Sequence, residues 1–132
     1  MTAARRYAAV QNTTASKERL MVQLFETAVR HMRNAIHELE GRQTRPAMTL
    51  IKKASDIVAY LHGTLKRDEA PKLVDDLSEI YTFTLARLAR SMVTAKASDV
   101  REAERAFAPV AEGFAQAVAA AATTQPRLAA VK

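Results

Sequence analysis

Residues 16–41 read SKERLMVQLFETAVRHMRNAIHELEG, and their spacing decides the fold class. Leu20, Leu24, Ala28, Met32, Ala35 and Leu39 follow one another at steps of three and four residues. That spacing aligns side chains on one face of an α-helix, whereas a half-buried strand alternates every second residue. Ser16 reads as an N-cap ahead of Lys17, Glu18 and Arg19, and Gly41 as the C-terminal stop. No Glu or Gln stands three residues after Ser16, so the full capping box is absent. A first helix is therefore expected over about residues 17–40.

The same reading carries outward along the chain. A second helix opens near Thr44 and Pro46, with Ala47, Leu50, Ile51, Ala54, Ile57, Val58, Leu61 and Leu65 on its apolar side and Gly63 near its end. After the polar break Lys66–Arg67–Asp68–Glu69, a third starts at Pro71, turns Leu73, Leu77, Ile80, Tyr81, Leu85, Leu88 and Met92 inward, and ends near Ala95. Ser98 and Asp99 are expected to cap a fourth, on which Val100, Ala103, Phe107, Val110, Phe114 and Val118 share a face. Pro109 falls opposite Val100 and Val118, so it should face water and bend that helix. Long helices joined by short loops favour antiparallel neighbours. The expectation is an all-α fold: an antiparallel up-down four-helix bundle over 16–122, a short N-terminal segment over 1–15 and a flexible tail over 123–132.

Composition agrees. The chain has 132 residues, 48% hydrophobic and 26% charged, within the range of one globular domain. Three glycines, four prolines and 5% aromatics are too few for a sheet protein rich in turns. Without cysteine, disulfides, thiolate zinc sites and iron–sulfur clusters are excluded. No apolar run approaches the roughly 20 residues that span a bilayer, and no apolar stretch of a signal peptide follows Arg5 and Arg6. The chain reads as soluble and cytoplasmic, with no membrane insertion. Twenty basic against fourteen acidic residues give a net charge of +6, one footprint of nucleic-acid binding. Yet the basic residues are dispersed from Arg5 to Lys132 beside acidic neighbours, the pattern of a solvated surface.

No enzyme is expected, and no cofactor. The Glu-x-x-His pattern of di-metal bundles fails at His31, His37 and His62, which are preceded three residues earlier by Ala28, Asn34 and Ala59. No metal site is expected. Gly41, Gly63 and Gly113 are isolated, so neither phosphate-cradling glycine motif is present. The first helix instead carries surplus apolar surface. Phe25, Val29, Ile36 and Val22 widen its apolar arc to roughly 200°, against the ~100° that one buried face needs. Either the helix is central to its own core, or Val22, Val29 and Ile36 line a groove for a partner helix. Under the second reading, Val29→Asp should weaken partner binding and leave the bundle folded. Met48, Tyr60 and Phe83 are outlying apolar residues on the other helices that fit either account.

Thr14-Ala15-Ser16-Lys17-Glu18-Arg19-Leu20-Met21, followed by Leu24-Phe25-Glu26, Ala28 and Arg30, with Tyr7 seven residues before Thr14, resembles the N-terminal signature of the flagellin-specific export chaperones, the FliS family. Leu50-Ile51-Lys52-Lys53-Ala54 with Asp56-Ile57 looks like that family's second helix. Leu77, Ile80-Tyr81, Phe83 and Leu88 look like its Leu-x-x-Leu-Tyr-x-Tyr-x-x-x-x-Leu segment. The resemblance spans about residues 7–118. Departures are Lys17 for proline, Glu26-Thr27 for Asp-Gly, Lys66 for an acidic residue, a missing glycine pair before the third helix, and Phe114 where many members carry tryptophan.

The resemblance implies a cytoplasmic chaperone that holds the C-terminal helical segment of flagellin in apolar grooves until export, with the flagellar export machinery as a possible further partner. It also implies an N-terminal segment that lies over part of the client surface, a role that falls by position on Tyr7 and Val10. The partner-binding candidates are thus Tyr7, Val10, Val22, Val29, Ile36, Met48, Tyr60 and Phe83, in a monomer or weak dimer that binds no nucleic acid. Two alternatives stand beside this reading: a helical dimerisation module without a client, and a basic helical nucleic-acid-binding module.

Overall fold

Four helices make up the described residues: α1 (Thr14–Glu40), α2 (Thr44–Gly63), α3 (Pro71–Thr94) and α4 (Ala97–Val131). The computed structural model describes the backbone of residues 14–131 and the side chains of residues 15–123. Tyr7 and Val10 lie outside them. Each helix packs on its sequence neighbours, and α4 closes the ring against α1. Ion pairs give the directions. As α1 advances from Arg33 to Glu40, the partner on α4 retreats from Glu104 to Arg101. As α3 advances from Arg87 to Arg90, its partner retreats from Glu102 to Asp99. Both pairs are antiparallel, as an all-α up-down bundle requires.

The core follows the helical period. Phe25, Ala28, Val29, Met32, Ala35 and Leu39 of α1 face Ala47, Ile51, Ala54, Val58 and Leu61 of α2, with Tyr81 and Leu88 from α3 and Val100, Ala103, Phe107 and Ala111 from α4. Ala28, Ala35, Ala47, Ala54 and Ala103 are fully buried. Such small residues let helix axes approach closely. Buried hydroxyls are satisfied locally: Thr84 donates to the Ile80 carbonyl at 2.8 Å and Ser91 to that of Leu88 at 2.6 Å.

Several expectations are corrected. Leu20, Leu73 and Met92, expected inward, are 51%, 58% and 42% exposed. Each lies within two turns of a helix end, where fewer neighbouring side chains can cover it. The buried stripe of α1 is instead phased on Phe25 and Val29. The larger side chain of Phe25 takes the interior place beside Phe107 and Phe114. α1 begins at Thr14, so Ser16 lies inside the helix, and α4 begins at Ala97, so Ser98 and Asp99 occupy its first turn. Asp99 does not act as a cap. Its carboxylate accepts a hydrogen bond from Thr94 at 2.6 Å and pairs with Arg90, tying α4 to the end of α3. α4 also continues to Val131, past the point near Thr123 where its apolar repeat stops. Pro109 is exposed, as its wheel position required.

Gly41 is not the left-handed residue of the first turn; Arg42 is, at φ 60°. The Arg42 amide donates to the Leu39 carbonyl and the Gln43 amide to that of Glu38. This is the Schellman closure with arginine where glycine is favoured.

Candidate functional site

An apolar opening lies at the end formed by the first turns of α1, the close of α2, the start of α3 and the middle of α4. A groove of about 790 Å³ is lined by Lys17, Leu20, Met21, Gln23, Leu24 and Thr27 of α1 with Tyr60, Thr64 and Lys66. A second hollow of about 410 Å³ shares Met21 and Thr64 with it, and continues over Phe25, Leu65, Leu73, Leu77, Tyr81, Val110, Gly113 and Phe114. The two hollows thus adjoin at Met21 and Thr64, at the bundle end.

The chain opens here for local reasons. Thr64 closes α2, its hydroxyl and its amide both directed to the Leu61 carbonyl, at 2.7 and 3.1 Å. The following loop turns Leu65 back onto the core, and Arg67 pins it to α3 through Asp75 at 3.1 Å. On α4, Gly113 contributes no side chain, and a Cβ placed there would meet nothing within 4 Å.

Tyr81 is 2% exposed, and its ring packs against Phe107 and against the edge of His62. Burial pushes the Tyr81 pKa up to about 12. Next to it, His62 Nε2 lies 2.9 Å from Ser78 Oγ, joining the end of α2 to the start of α3. No nucleophile geometry follows from this pair, since no third group orients the histidine.

The sequence candidates are dispersed by the fold. Tyr60, 59% exposed, stands on the wall of the groove. Val22 is half-buried on α1, and Ile36 and Met48 are half-buried against the core. Phe83 is 42% exposed on the outer face of α3, with the Arg87 guanidinium 5.1 Å from its ring centre. Val29 is only 7% exposed. It forms the floor of a separate α1–α4 hollow of about 600 Å³, between Arg30, Arg33, Ala108 and Ala111. The expected exposed edge at Val29 is therefore corrected to a core position, because Ala108 and Ala111 are too small to hold α4 away from it. Leu65, Leu73, Tyr81 and Phe114 line the second hollow, although their spacing assigns them only to the apolar faces of their helices. No periodicity in the sequence separates a residue facing the core from one facing an opening at its end.

Among the described residues there is no cluster of three or more His, Cys, Asp or Glu that could hold a metal ion, and no helix long and apolar enough to cross a membrane. No curated protein matches the chain. A family model does: that of the flagellar protein FliS, over residues 1–121. With the four-helix architecture, this match places the chain in the FliS flagellar protein family, chaperones of flagellum assembly.

Proposed function

We propose that this protein is a cytoplasmic export chaperone that binds the C-terminal helical segment of flagellin and keeps it from polymerising before export. The observation that carries the reading is the apolar groove of the bundle end, with Leu20 and Tyr60 exposed on its wall and a second apolar hollow adjoining it, in a member of the FliS family. Solvent-facing leucine and tyrosine beside an apolar hollow suit helix-in-groove recognition, in which side chains at helical spacing anchor in pockets. A client that orders only on binding loses chain entropy and must cover a large surface in return. The exposed Phe83 and the half-buried Val22, Ile36 and Met48 are assigned as further client contacts outside that groove, and Val29 as the floor of the separate α1–α4 hollow. Tyr7 and Val10 are assigned the covering role in the free protein. The export machinery is a second partner in this reading, and the free chaperone is a monomer or weak dimer.

The test is titration calorimetry with flagellin and with flagellin lacking its C-terminal segment. Only the intact protein should bind, with little dependence on salt, since the anchors are apolar. Leu20→Asp and Tyr60→Asp should each weaken binding more than tenfold without moving the melting temperature. Equal binding of the truncated flagellin would refute the reading. A steep fall in affinity with salt would point instead to charge neutralisation of the kind that governs nucleic-acid binding.

A further inference from the structure

Along the α1–α2 seam the apolar groove gives way to positive charge. Its own lining holds Lys17 and Lys66 and no acidic residue. Thr27 is the last α1 residue along it, and the Thr27 hydroxyl accepts a hydrogen bond from the Arg30 guanidinium at 3.4 Å. On the α2 side, Lys53 lies seven residues before Tyr60 on the same exposed face, two turns or about 10 Å along the helix. Lys53 and Arg30 both act on the half-buried His31, and burial together with these two charges holds its pKa below the usual 6.5. His31 Nδ1 is buried without a partner. Neither Arg30 nor Lys53 has an ion-pair partner among the described residues, whereas Arg33 and Lys52 beside them are held by Glu104 and Asp56. Asp56, the one acid between Lys53 and Tyr60, is thus already engaged at 3.2 Å. On α1, Glu26 lines the separate α1–α4 hollow, which Arg30 also borders, and forms no ion pair among the described residues.

We infer that Arg30, His31 and Lys53 form an anion subsite of the client site, which takes a carboxylate side chain of the client helix. The inference rests on the chaperone reading and adds the chemistry of the client: an amphipathic helix with an acidic residue at the edge of its apolar stripe. A client helix lying along the seam rises as α2 does, so that residue stands about seven positions from the apolar side chain anchored beside Tyr60. An apolar side chain in its place would cover the two cations and leave them unpaired, which is costly. A carboxylate between Arg30 and Lys53 instead offsets the repulsion that keeps His31 neutral. Protonated His31 is then favoured, and binding takes up a proton. One carboxylate keeps the salt dependence shallow beside that of a surface neutralising several phosphates.

Lys53→Glu tests it, at an exposed position where the bundle stays folded. Calorimetry with the C-terminal flagellin segment should show binding weakened about three- to tenfold, the scale of losing and then reversing one exposed ion pair. The melting temperature should not move. Changing the segment's carboxylates to amides one at a time should reproduce the loss at one position in the parent. The same change should cost nothing further in Lys53→Glu, and a lysine at that position should restore its binding. NMR titration of the His31 ring should show its pKa rising when the segment binds. Affinity of the parent should accordingly strengthen from pH 7.5 to 6, more steeply than that of His31→Gln. Equal binding by Lys53→Glu and the parent, or a segment in which no amide change matters, overturns the inference. So does an equal His31 response to acetate alone, which would make this a site for small free anions. Leu20→Asp separates the two levels. If it abolishes binding while Lys53→Glu binds as the parent does, the chaperone reading stands and the anion subsite falls. If the parent itself does not bind the segment, both fall.

Discussion

Phe25 of α1 stacks on Phe107 of α4, with ring centres 5.6 Å apart and planes inclined by 26°. The same Phe25 ring meets Phe114 at 5.0 Å, and Phe107 meets Tyr81 at 6.0 Å. Four aromatic rings therefore form one chain, Phe114–Phe25–Phe107–Tyr81, and three of them, Phe25, Phe107 and Tyr81, belong to the buried core. Tyr81 and Phe114 at its ends line the hollow of the bundle end together with Phe25. Core and candidate site share one wall.

Phe25→Ala should remove the centre of that wall. Deleting a buried phenylalanine costs about 3–5 kcal/mol through lost transfer energy and the cavity left behind. Urea denaturation should show a fall of this size. A loss under about 1 kcal/mol would mean that α1 and α4 close over the gap.

Val29→Asp should unfold the protein or come close to it. At 7% exposure, with the alanines of α4 over it, an aspartate would be an unpaired charge in the interior. The cost of several kcal/mol is comparable to the whole stability of a domain this size. Thermal melting checks it: a melting temperature near that of the parent would return Val29 to the exposed edge expected from the helical wheel.

Arg42→Gly should stabilise the bundle by about 0.5–1 kcal/mol. A non-glycine residue at φ 60° is strained against its own Cβ, and glycine relieves that strain at the price of a freer unfolded chain. Gly41→Ala should be near neutral, because its new Cβ would lie 3.6 Å from the His37 and Glu38 carbonyl oxygens, an ordinary contact. A rise of a few degrees in melting temperature for the first and little change for the second is the expected pattern. The reverse would put the turn's strain at Gly41.

His31 gives the protein an acid-sensitive seam. Its pKa is lowered from the usual 6.5, first by burial and then by the nearby charges of Lys53 and Arg30, and its Nδ1 is buried without a partner. The folded state therefore resists a proton that the unfolded chain accepts. The contribution is fully present above about pH 6.5 and is lost as the pH falls through the folded value. Melting temperatures measured from pH 7.5 to 5 should fall more steeply for the parent than for His31→Leu. Parallel curves would exclude the histidine.

How much of this was legible beforehand differs by level. The four helices, Pro71 at the start of α3 and the inward faces of α2 and α4 follow from spacing alone, because burial of one helical face imposes a period near 3.6 on the residues themselves. The outward position of Pro109 follows from the same wheel, whereas Tyr60 and Phe83 stand off their helices' apolar faces in a way that fits either account of the surplus apolar surface. The family signature around residues 14–30 was also open to reading, since it is a string of residue types. What only the tertiary structure decided is how the faces meet. Leu20 and Phe25 both sit within the wide apolar arc of α1, and nothing local says which goes inside; the rings of Phe107 and Phe114 on α4 settle it. Arg42 and not Gly41 takes the left-handed turn because the approach of α2 determines where the chain must reverse. The hollow beside Tyr81 belongs to no single helix. It exists because Gly113, Leu65 and Leu73, which lie on α4, the loop and α3, leave space between them when the bundle closes.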